Sequence, residues 1–178
     1  PKIENEEIVL TKKAFALNMA IQDYEIAVAL YNSFNHQKNK SFSIRNNSWN
    51  LTNIAMLPEK NITSESIDIK FQSPLVARNR QNKKDYYYSY TNPEKFLETL
   101  KINIREELKI TDIPPETVET FEITPIETKK VIIKFYEKQI ETSTGKFNIK
   151  GDKRLLEYLY KAGLGSKRSA GFGMFQII

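Results

Sequence analysis

Four of the six glycines in this chain fall within eleven residues near the C-terminus, in the run GLGSKRSAGFG. Two cations, Lys167 and Arg168, and two hydroxyls, Ser166 and Ser169, lie between its glycine pairs. Glycine allows positive φ and a close approach of another backbone, and N–H groups left open in such a loop can bind phosphate oxygens. Together with the two cations, this composition predicts a site for the phosphate backbone of a polyanion.

The run also has structural interpretations. It lacks the Gly-x4-Gly-Lys-Ser/Thr spacing of a P-loop, and Arg168 stands where the dinucleotide fingerprint has its third glycine. A helix C-cap at Gly163 followed by a tight entry into the last strand stays open as an alternative. That role alone would not account for Gly165, Gly171 and Gly173 beside two cations.

The positive charge is concentrated at the same end of the chain. Residues 146–178 contain seven of the 27 Lys and Arg residues and two of the 22 Asp and Glu residues. They therefore carry the whole net charge of +5, and the preceding residues sum to zero. A neutral body with a basic end favours a local polyanion site over a solvated Lys-rich helix face. Lys153 and Arg154, at the start of the last predicted helix, are expected to make a second contact near the glycine loop.

Few other residues offer chemistry. His36 is the only histidine, and its imidazole could act as a general base, although it lies in a polar stretch predicted to be a solvated loop. With one histidine and no cysteine the sequence predicts neither a typical metal site nor a disulfide. No apolar run is long enough to span a bilayer.

Aromatic and basic residues also cluster over residues 78–90. Four tyrosines lie within 86–90, where they can stack on unpaired bases or form one face of a packed strand, and packing is the favoured interpretation. A polar loop predicted over 79–85 adds basic residues that can contact phosphate: Arg78, Arg80, Lys83 and Lys84. Trp49 is predicted to lie in a core.

Hydrophobic periodicity predicts an α+β fold. From residue 67 onward it indicates a strand at 67–71, a helix at 93–108, strands at 131–136 and 146–149 joined by a turn at Thr144–Gly145, a helix at 152–163 and a last strand over 172–178. This β-α-β-β-α-β order is that of a ferredoxin-like domain, an antiparallel sheet with two helices on one face. In that topology the first strand lies between the third and the fourth.

Residues 8–57 give only β-α-β, with a helix over 24–34 capped by Asp23. We interpret this as the second half of another ferredoxin-like unit, so that residues 1–65 are part of a first domain and 66–178 form a second. The first half-domain would be missing from the chain or supplied by a separate segment.

The glycine run, placed after a helix and before the last strand, resembles the C-terminal glycine-rich loop of the RAMP superfamily. More narrowly it resembles the CRISPR-associated endoribonucleases that cut precursor CRISPR RNA within its repeats, the sixth Cas family. Further residues carry the resemblance: Ser73-Pro74 within FQSPLV, Pro93-x-x-Phe96, Leu100-x-x-Asn103 with Leu108, and Leu155-Leu156.

The resemblance implies two tandem ferredoxin-like folds and a metal-independent, cofactor-free endoribonuclease. The 2′-OH before the cut attacks its own phosphate and leaves a 2′,3′-cyclic phosphate. The family's acid–base groups usually lie near the first helix of the first domain, so the catalytic residues stay unknown here, with His36 a weak candidate. The residues expected to bind RNA are Gly163, Gly165, Ser166, Lys167, Arg168, Ser169, Gly171, Lys153 and Arg154.

The implied partner is CRISPR repeat RNA, with other Cas effector subunits or a second copy of the chain as further partners. No membrane is implied, and the implied location is the prokaryotic cytoplasm. Two alternatives stay open: a non-catalytic RAMP subunit that binds CRISPR RNA in an effector complex, and a ferredoxin-like interaction module without nucleic acid.

Overall fold

The computed structural model describes residues 2–4, 7–9, 13–44 and 47–178. In chain order its elements are β1 (Lys2–Glu4), β2 (Glu7–Val9), α1 (Tyr24–Gln37), β3 (Ser41–Ile44), β4 (Asn47–Asn50), β5 (Ser66–Phe71), β6 (Ala77–Gln81), β7 (Lys84–Tyr88), α2 (Pro93–Leu108), β8 (Glu122–Phe135), β9 (Lys138–Lys150), α3 (Lys153–Ala162) and β10 (Phe175–Ile177). Short 3-10 turns lie at Pro115–Val118 and Arg168–Ala170.

The C-terminal unit is built on a four-stranded sheet in the order β10-β5-β9-β8, and every neighbouring pair is antiparallel. Its first strand, β5, lies between the third and the fourth, as the ferredoxin-like prediction requires. With α2 between β5 and β8, and α3 between β9 and β10, the β-α-β-β-α-β order is confirmed. The hairpin of β6 and β7 is an addition between β5 and α2.

The core lies between this sheet and its two helices. Alternate residues of β5, Ile69 and Phe71, point into it because successive strand side chains face opposite ways. The helices contribute rows spaced at three and four residues: Phe96, Leu100, Ile104 and Leu108 from α2, and Leu155, Leu156 and Leu159 from α3. Burying one such side chain contributes roughly 1.5–3 kcal/mol. This core therefore holds both helices against one face of the sheet.

Side-chain caps set the helix starts as predicted. Asp23 accepts the Ile26 N–H at 3.0 Å, Asn92 accepts the Lys95 N–H, and Asp152 accepts the Arg154 N–H. Such a cap contributes about 1 kcal/mol to a helix.

The predicted turn at Thr144–Gly145 is wrong. β9 runs through both residues, and Gly145 pairs with Thr128, next to a register shift between Pro125 and Glu127. Its φ is 111°, and a Cβ there would overlap the Glu127 carbonyl oxygen, so this glycine accommodates a bulge. The actual turn is Tyr136–Glu137, which joins β8 to β9 with two residues.

The predicted polar loop over 79–85 is also wrong, because these residues form the β6–β7 hairpin. Its two-residue turn, Asn82–Lys83, has positive φ at both positions, 48° and 64°. That backbone is typical of a type I′ turn, whose twist suits a two-residue hairpin.

Helix α1 begins where predicted but continues to Gln37, and no residue of it is buried. β1–β2 and β3–β4 form two separate two-stranded sheets, so the described residues do not join them into one half-domain sheet. Trp49, predicted to be core, is only partly buried against Phe15, at 5.2 Å between ring centroids. Ile62 belongs to the core of the C-terminal unit. A division of the chain at residue 65 stays a prediction.

Candidate nucleic-acid interface

The ends of the glycine-rich loop, residues 163–173, are bonded to each other. Gly163 ends α3 with φ 82° and its N–H donates to the Leu159 carbonyl. One residue later, the Leu164 N–H donates to the Gly173 carbonyl at 2.9 Å. The segment after β5 adds two further bonds, because Pro74 accepts the Gly173 N–H and Val76 accepts the Ser166 N–H. The loop is therefore a ring closed at its base.

Two glycines are required by this closure. At Gly165 an added Cβ would overlap the Val76 carbonyl oxygen, and at Gly173 it would overlap the Leu164 carbonyl oxygen. Both also have positive φ, 87° and 78°. Gly163 and Gly165 are buried, so their role is the close approach of backbones. The helix C-cap and tight strand entry that the sequence left open account for Gly163 and Gly165, and we assign no RNA contacts to these two glycines.

The outer part of the loop, residues 166–171, faces solvent. A 3-10 turn uses two of its N–H groups, because Ala170 and Gly171 donate to the carbonyls of Lys167 and Arg168. Gly171 is exposed, and a Cβ built on it would meet nothing within 4 Å. Ser169 is also exposed. Of the predicted RNA-binding residues in this outer part, Ser169 and Gly171 are exposed, whereas Ser166, Lys167 and Arg168 are half-buried.

Lys167 is held over an aromatic ring. Its backbone is left-handed, with φ 61°, and its Nζ lies 4.5 Å from the centroid of Phe135 at the end of β8. Partial burial lowers the pKa of Lys167, and the nearby cations of Arg78 and Lys138 lower it further, while Asp85 opposes them. A cation placed among other cations favours an added anion.

Arg168 is occupied within the protein. Its Nε lies 3.1 Å from Oε1 of Glu107 in the last turn of α2, and its guanidinium donates to the Ala162 carbonyl at 3.0 Å. Burial raises the pKa of Glu107 to about 7, and the positive charge of Arg168 opposes that rise. Arg168 therefore anchors the loop to two helix ends, and its predicted RNA contact stays a prediction.

Lys153 and Arg154 do not lie beside the glycine loop. They begin α3, whereas the loop follows its last residue, and a ten-residue helix separates the two ends by about 15 Å. Arg154 also forms two hydrogen bonds to Asp152, at 2.8 and 3.1 Å. The expected second contact near the loop is therefore not formed by these residues.

His36 lies in the last turn of α1 and not in a loop. It is exposed. None of the predicted RNA-binding residues belongs to α1. Among the described residues, no group of three or more His, Asp or Glu side chains could hold a metal ion.

One face of the β6–β7 hairpin adds residues that the sequence did not place together. The register pairs Arg78 with Tyr87 and Arg80 with Asp85, so these four side chains share a face. Arg78 and Asp85 form a long ion pair of 3.9 Å. Asn103 of α2 holds the hairpin through two hydrogen bonds to the backbone of Arg78. Alternation in the sequence could have shown the shared face, had the hairpin turn been recognised.

The open face of the sheet carries a different surface. The cross-strand pairs there are Ser66 with Lys150, Asp68 with Asn148, and Lys70 with Lys146. None of these six residues is aromatic, and Asn148 donates to Asp68 at 2.7 Å. Aromatic residues at such positions are what RRM domains use to stack RNA bases. The candidate interface therefore lies at the glycine loop and not on these sheet positions.

A sheet of this order, with two helices on one face and a glycine-rich loop between its last helix and last strand, defines a ferredoxin-like domain. The chain belongs to the Cas6 family of CRISPR-associated proteins: the family model for CRISPR associated protein Cas6, C-terminal, matches residues 57–177. The resemblance found in the sequence is thereby confirmed.

Solved structures with the same fold are similar over most of this chain. The product of a Cas6-related gene from Pyrococcus furiosus is 24% identical with a TM-score of 0.74, covering 89% of this chain and 65% of that one. A RAMP protein described as binding different RNA substrates is 21% identical with a TM-score of 0.71, covering 88% and 65%. A Cas6 product complex is 12% identical with a TM-score of 0.64, covering 88% and 72%.

At these identities the likeness shows the fold. This chain spans about two thirds of the length of the first two proteins, since it covers 65% of each. No curated protein matches the chain in sequence. Among the helices of the described residues, none combines the length and apolar character that crossing a bilayer would need.

Proposed function

We propose that this chain binds CRISPR repeat RNA through its glycine-rich loop as part of a precursor CRISPR RNA endoribonuclease. The main support is Lys167, which lies in the outer part of a loop whose base is closed by backbone hydrogen bonds. Such a loop presents its cation without rearranging, so little conformational entropy is lost when a phosphate binds. Membership in the Cas6 family and an RNA-binding RAMP neighbour support the same ligand.

The reaction proposed for the whole protein is a transesterification within the RNA. The 2′-oxygen of the nucleotide before the cut attacks the adjacent phosphorus, and the bond from phosphorus to the 5′-oxygen breaks. A base takes the proton from the 2′-hydroxyl and an acid protonates the leaving 5′-oxygen, which gives a 2′,3′-cyclic phosphate and a 5′-hydroxyl. The part assigned to this chain is to hold the RNA backbone at Lys167, Ser169 and Gly171. No acid or base is assigned among the described residues.

The test is cleavage of a labelled CRISPR repeat RNA by the full-length protein in EDTA. Cutting should persist without divalent metal and should stop when the nucleotide before the cut carries a 2′-hydrogen in place of its hydroxyl. The products should be a 2′,3′-cyclic phosphate and a 5′-hydroxyl, identified by mass spectrometry. A requirement for Mg²⁺, or continued cutting of the 2′-deoxy substrate, would contradict this mechanism.

A non-catalytic RAMP subunit that holds CRISPR RNA in an effector complex is the second candidate. It is favoured by the position of the only histidine, which lies in the last turn of α1, the helix interpreted as the second one of a first domain, whereas the family's acid–base groups usually lie near the first. Tight binding of the repeat RNA by the full-length protein, with no cleavage under any metal condition, would decide for it.

A further inference from the structure

Two residues other than glycine line one cleft with left-handed backbones. Tyr136 has φ 53° and Lys167 has φ 61°. Both border an open cleft of about 290 Å³, which is also lined by Asp85 and Tyr87 of β7 and by Phe135 and Lys138 at the end of the β8–β9 hairpin. Its volume lies just below the usual range of ligand pockets, which is about 300–1,000 Å³. The cleft is therefore suited to a group the size of one nucleotide.

The backbone of Tyr136 is unusual for its residue type. It holds the first position of a two-residue hairpin turn, where positive φ is ordinarily supplied by glycine. Positive φ is sterically unfavourable for a bulky residue such as tyrosine. The ring is not buried in return, because the residue is 83% exposed and meets Phe135 edge to face at 4.8 Å between centroids. Strain retained at an exposed aromatic residue points to a role in binding.

Positive charge lies at the side of the cleft next to Phe135. Lys167 lies over the Phe135 ring, and Arg78 and Lys138 are neighbouring cations of Lys167. The carboxylates beside them are Asp85, paired with Arg78 at only 3.9 Å, and Glu137 in the turn itself. An aromatic face beside a ring of cations is the arrangement that single-stranded nucleic acid uses, with bases on the rings and phosphates on the cations.

We propose that this cleft holds one unpaired nucleotide of the bound RNA, with its base stacked on Tyr136 and its phosphate at Lys167 and Lys138. The proposal rests on the proposed function, since it names a subsite for the RNA that the glycine loop binds. It adds the tip of the β8–β9 hairpin and one face of the β6–β7 hairpin to that interface.

Tyr136→Gly separates a binding role from a structural one. Glycine removes the ring and also relieves the positive φ, so the thermal midpoint of the variant should equal or exceed that of the unaltered protein. Affinity for a fluorescein-labelled, single-stranded CRISPR repeat RNA should nevertheless fall about tenfold, the usual effect of losing one stacked base. Tyr136→Phe keeps the ring and should bind normally. Tyr24→Ala removes a similarly exposed tyrosine from α1 and is the matched control.

A second measurement locates the base. The same RNA is made with 2-aminopurine at one position at a time, and its fluorescence should be quenched at a single position on binding. Quenching at that position should disappear with Tyr136→Gly and remain with Tyr24→Ala. Unchanged affinity and unchanged quenching in Tyr136→Gly would overturn the proposal.

Different results would overturn RNA binding by the loop and the nucleotide cleft. If Lys167→Ala weakens RNA binding while Tyr136→Gly does not, the loop binds RNA and the nucleotide cleft is wrong. If the unaltered full-length protein binds no RNA, the proposed function fails and the cleft proposal fails with it. If polyglutamate displaces the RNA equally from the unaltered protein and from Tyr136→Gly, the surface is a general polyanion site and the nucleotide cleft is again overturned.

Discussion

The Nε atom of Arg168 lies 3.1 Å from Oε1 of Glu107, which ties the glycine-rich loop to the end of α2. The same guanidinium donates to the Ala162 carbonyl at the end of α3. The side chains of this ion pair are largely buried: that of Arg168 is 26% exposed and that of Glu107 is 14% exposed. Of the two adjacent cations of the loop, one therefore holds the loop in place and the other is left at its outer part.

Replacing Arg168 should mainly change stability. Arg168→Ala leaves the Glu107 carboxylate buried without its cation, and breaking such a buried pair costs about 3 kcal/mol. The free energy of unfolding, measured with urea, should fall by roughly that amount at pH 8 and by less at pH 5, where Glu107 is protonated. An equal loss at both pH values would show that the ion pair contributes little.

Replacing Lys167 should mainly change RNA binding. Lys167→Ala removes the accessible cation and a cation–π contact of about 0.5–1 kcal/mol, so stability should change by no more than that. The slope of log affinity against log salt should become shallower by about 0.7, the value for one phosphate contact on a single strand. An unchanged salt slope would show that Lys167 does not meet a phosphate.

Glu107 should make the protein less stable as the pH rises. Its folded pKa of about 7 lies above the usual value of 4.5, so the native state binds the extra proton between these values. The stabilisation is complete below about pH 4.5 and is lost as the pH rises through 7, with an upper limit of about 3 kcal/mol. Glu107→Gln should flatten this part of the stability profile. A profile identical to that of the unaltered protein would contradict the assignment.

Two glycines of the loop should respond differently to alanine. Gly165→Ala forces a Cβ onto the Val76 carbonyl oxygen, so the backbone must move, and we expect a loss of at least about 2 kcal/mol. In Gly171→Ala the new Cβ meets open space, so only the φ of 88° is unfavourable, and we expect a loss of about 1 kcal/mol. Thermal unfolding of the two variants compares them directly. Equal destabilisation would mean that backbone conformation alone explains both glycines.

Local signals predicted most of the elements around the site. The caps Asn92 and Asp152 and the C-cap Gly163 placed both helices of the C-terminal unit, because capping depends on residues within one turn. The turn at Tyr136–Glu137 was missed because neither residue is a usual turn former, while Gly145 looked like one and instead accommodates a bulge against a strand about twenty residues earlier.

The candidate site was predicted only in part. Its composition showed a basic, glycine-rich loop, and Lys167 fits that prediction. The partner of Arg168 could not be found from the sequence, because Glu107 lies some sixty residues away on another helix and the contact depends on how both helices pack. The cleft beside Tyr136 likewise forms where the β6–β7 hairpin, the β8–β9 hairpin and the glycine-rich loop lie together, and no local sequence pattern predicts that arrangement.

The bond between Leu164 and Gly173 has an evolutionary consequence. It separates the base of the loop, where a substitution disturbs the packing, from residues 169–171, which are exposed. Changes of the Ser169 and Ala170 side chains should therefore disturb the fold less than changes at Gly165, Gly173 or Arg168. A relative of this chain can therefore change the chemistry of that exposed part through a few residues of one short segment, while the scaffold beneath it is inherited unchanged.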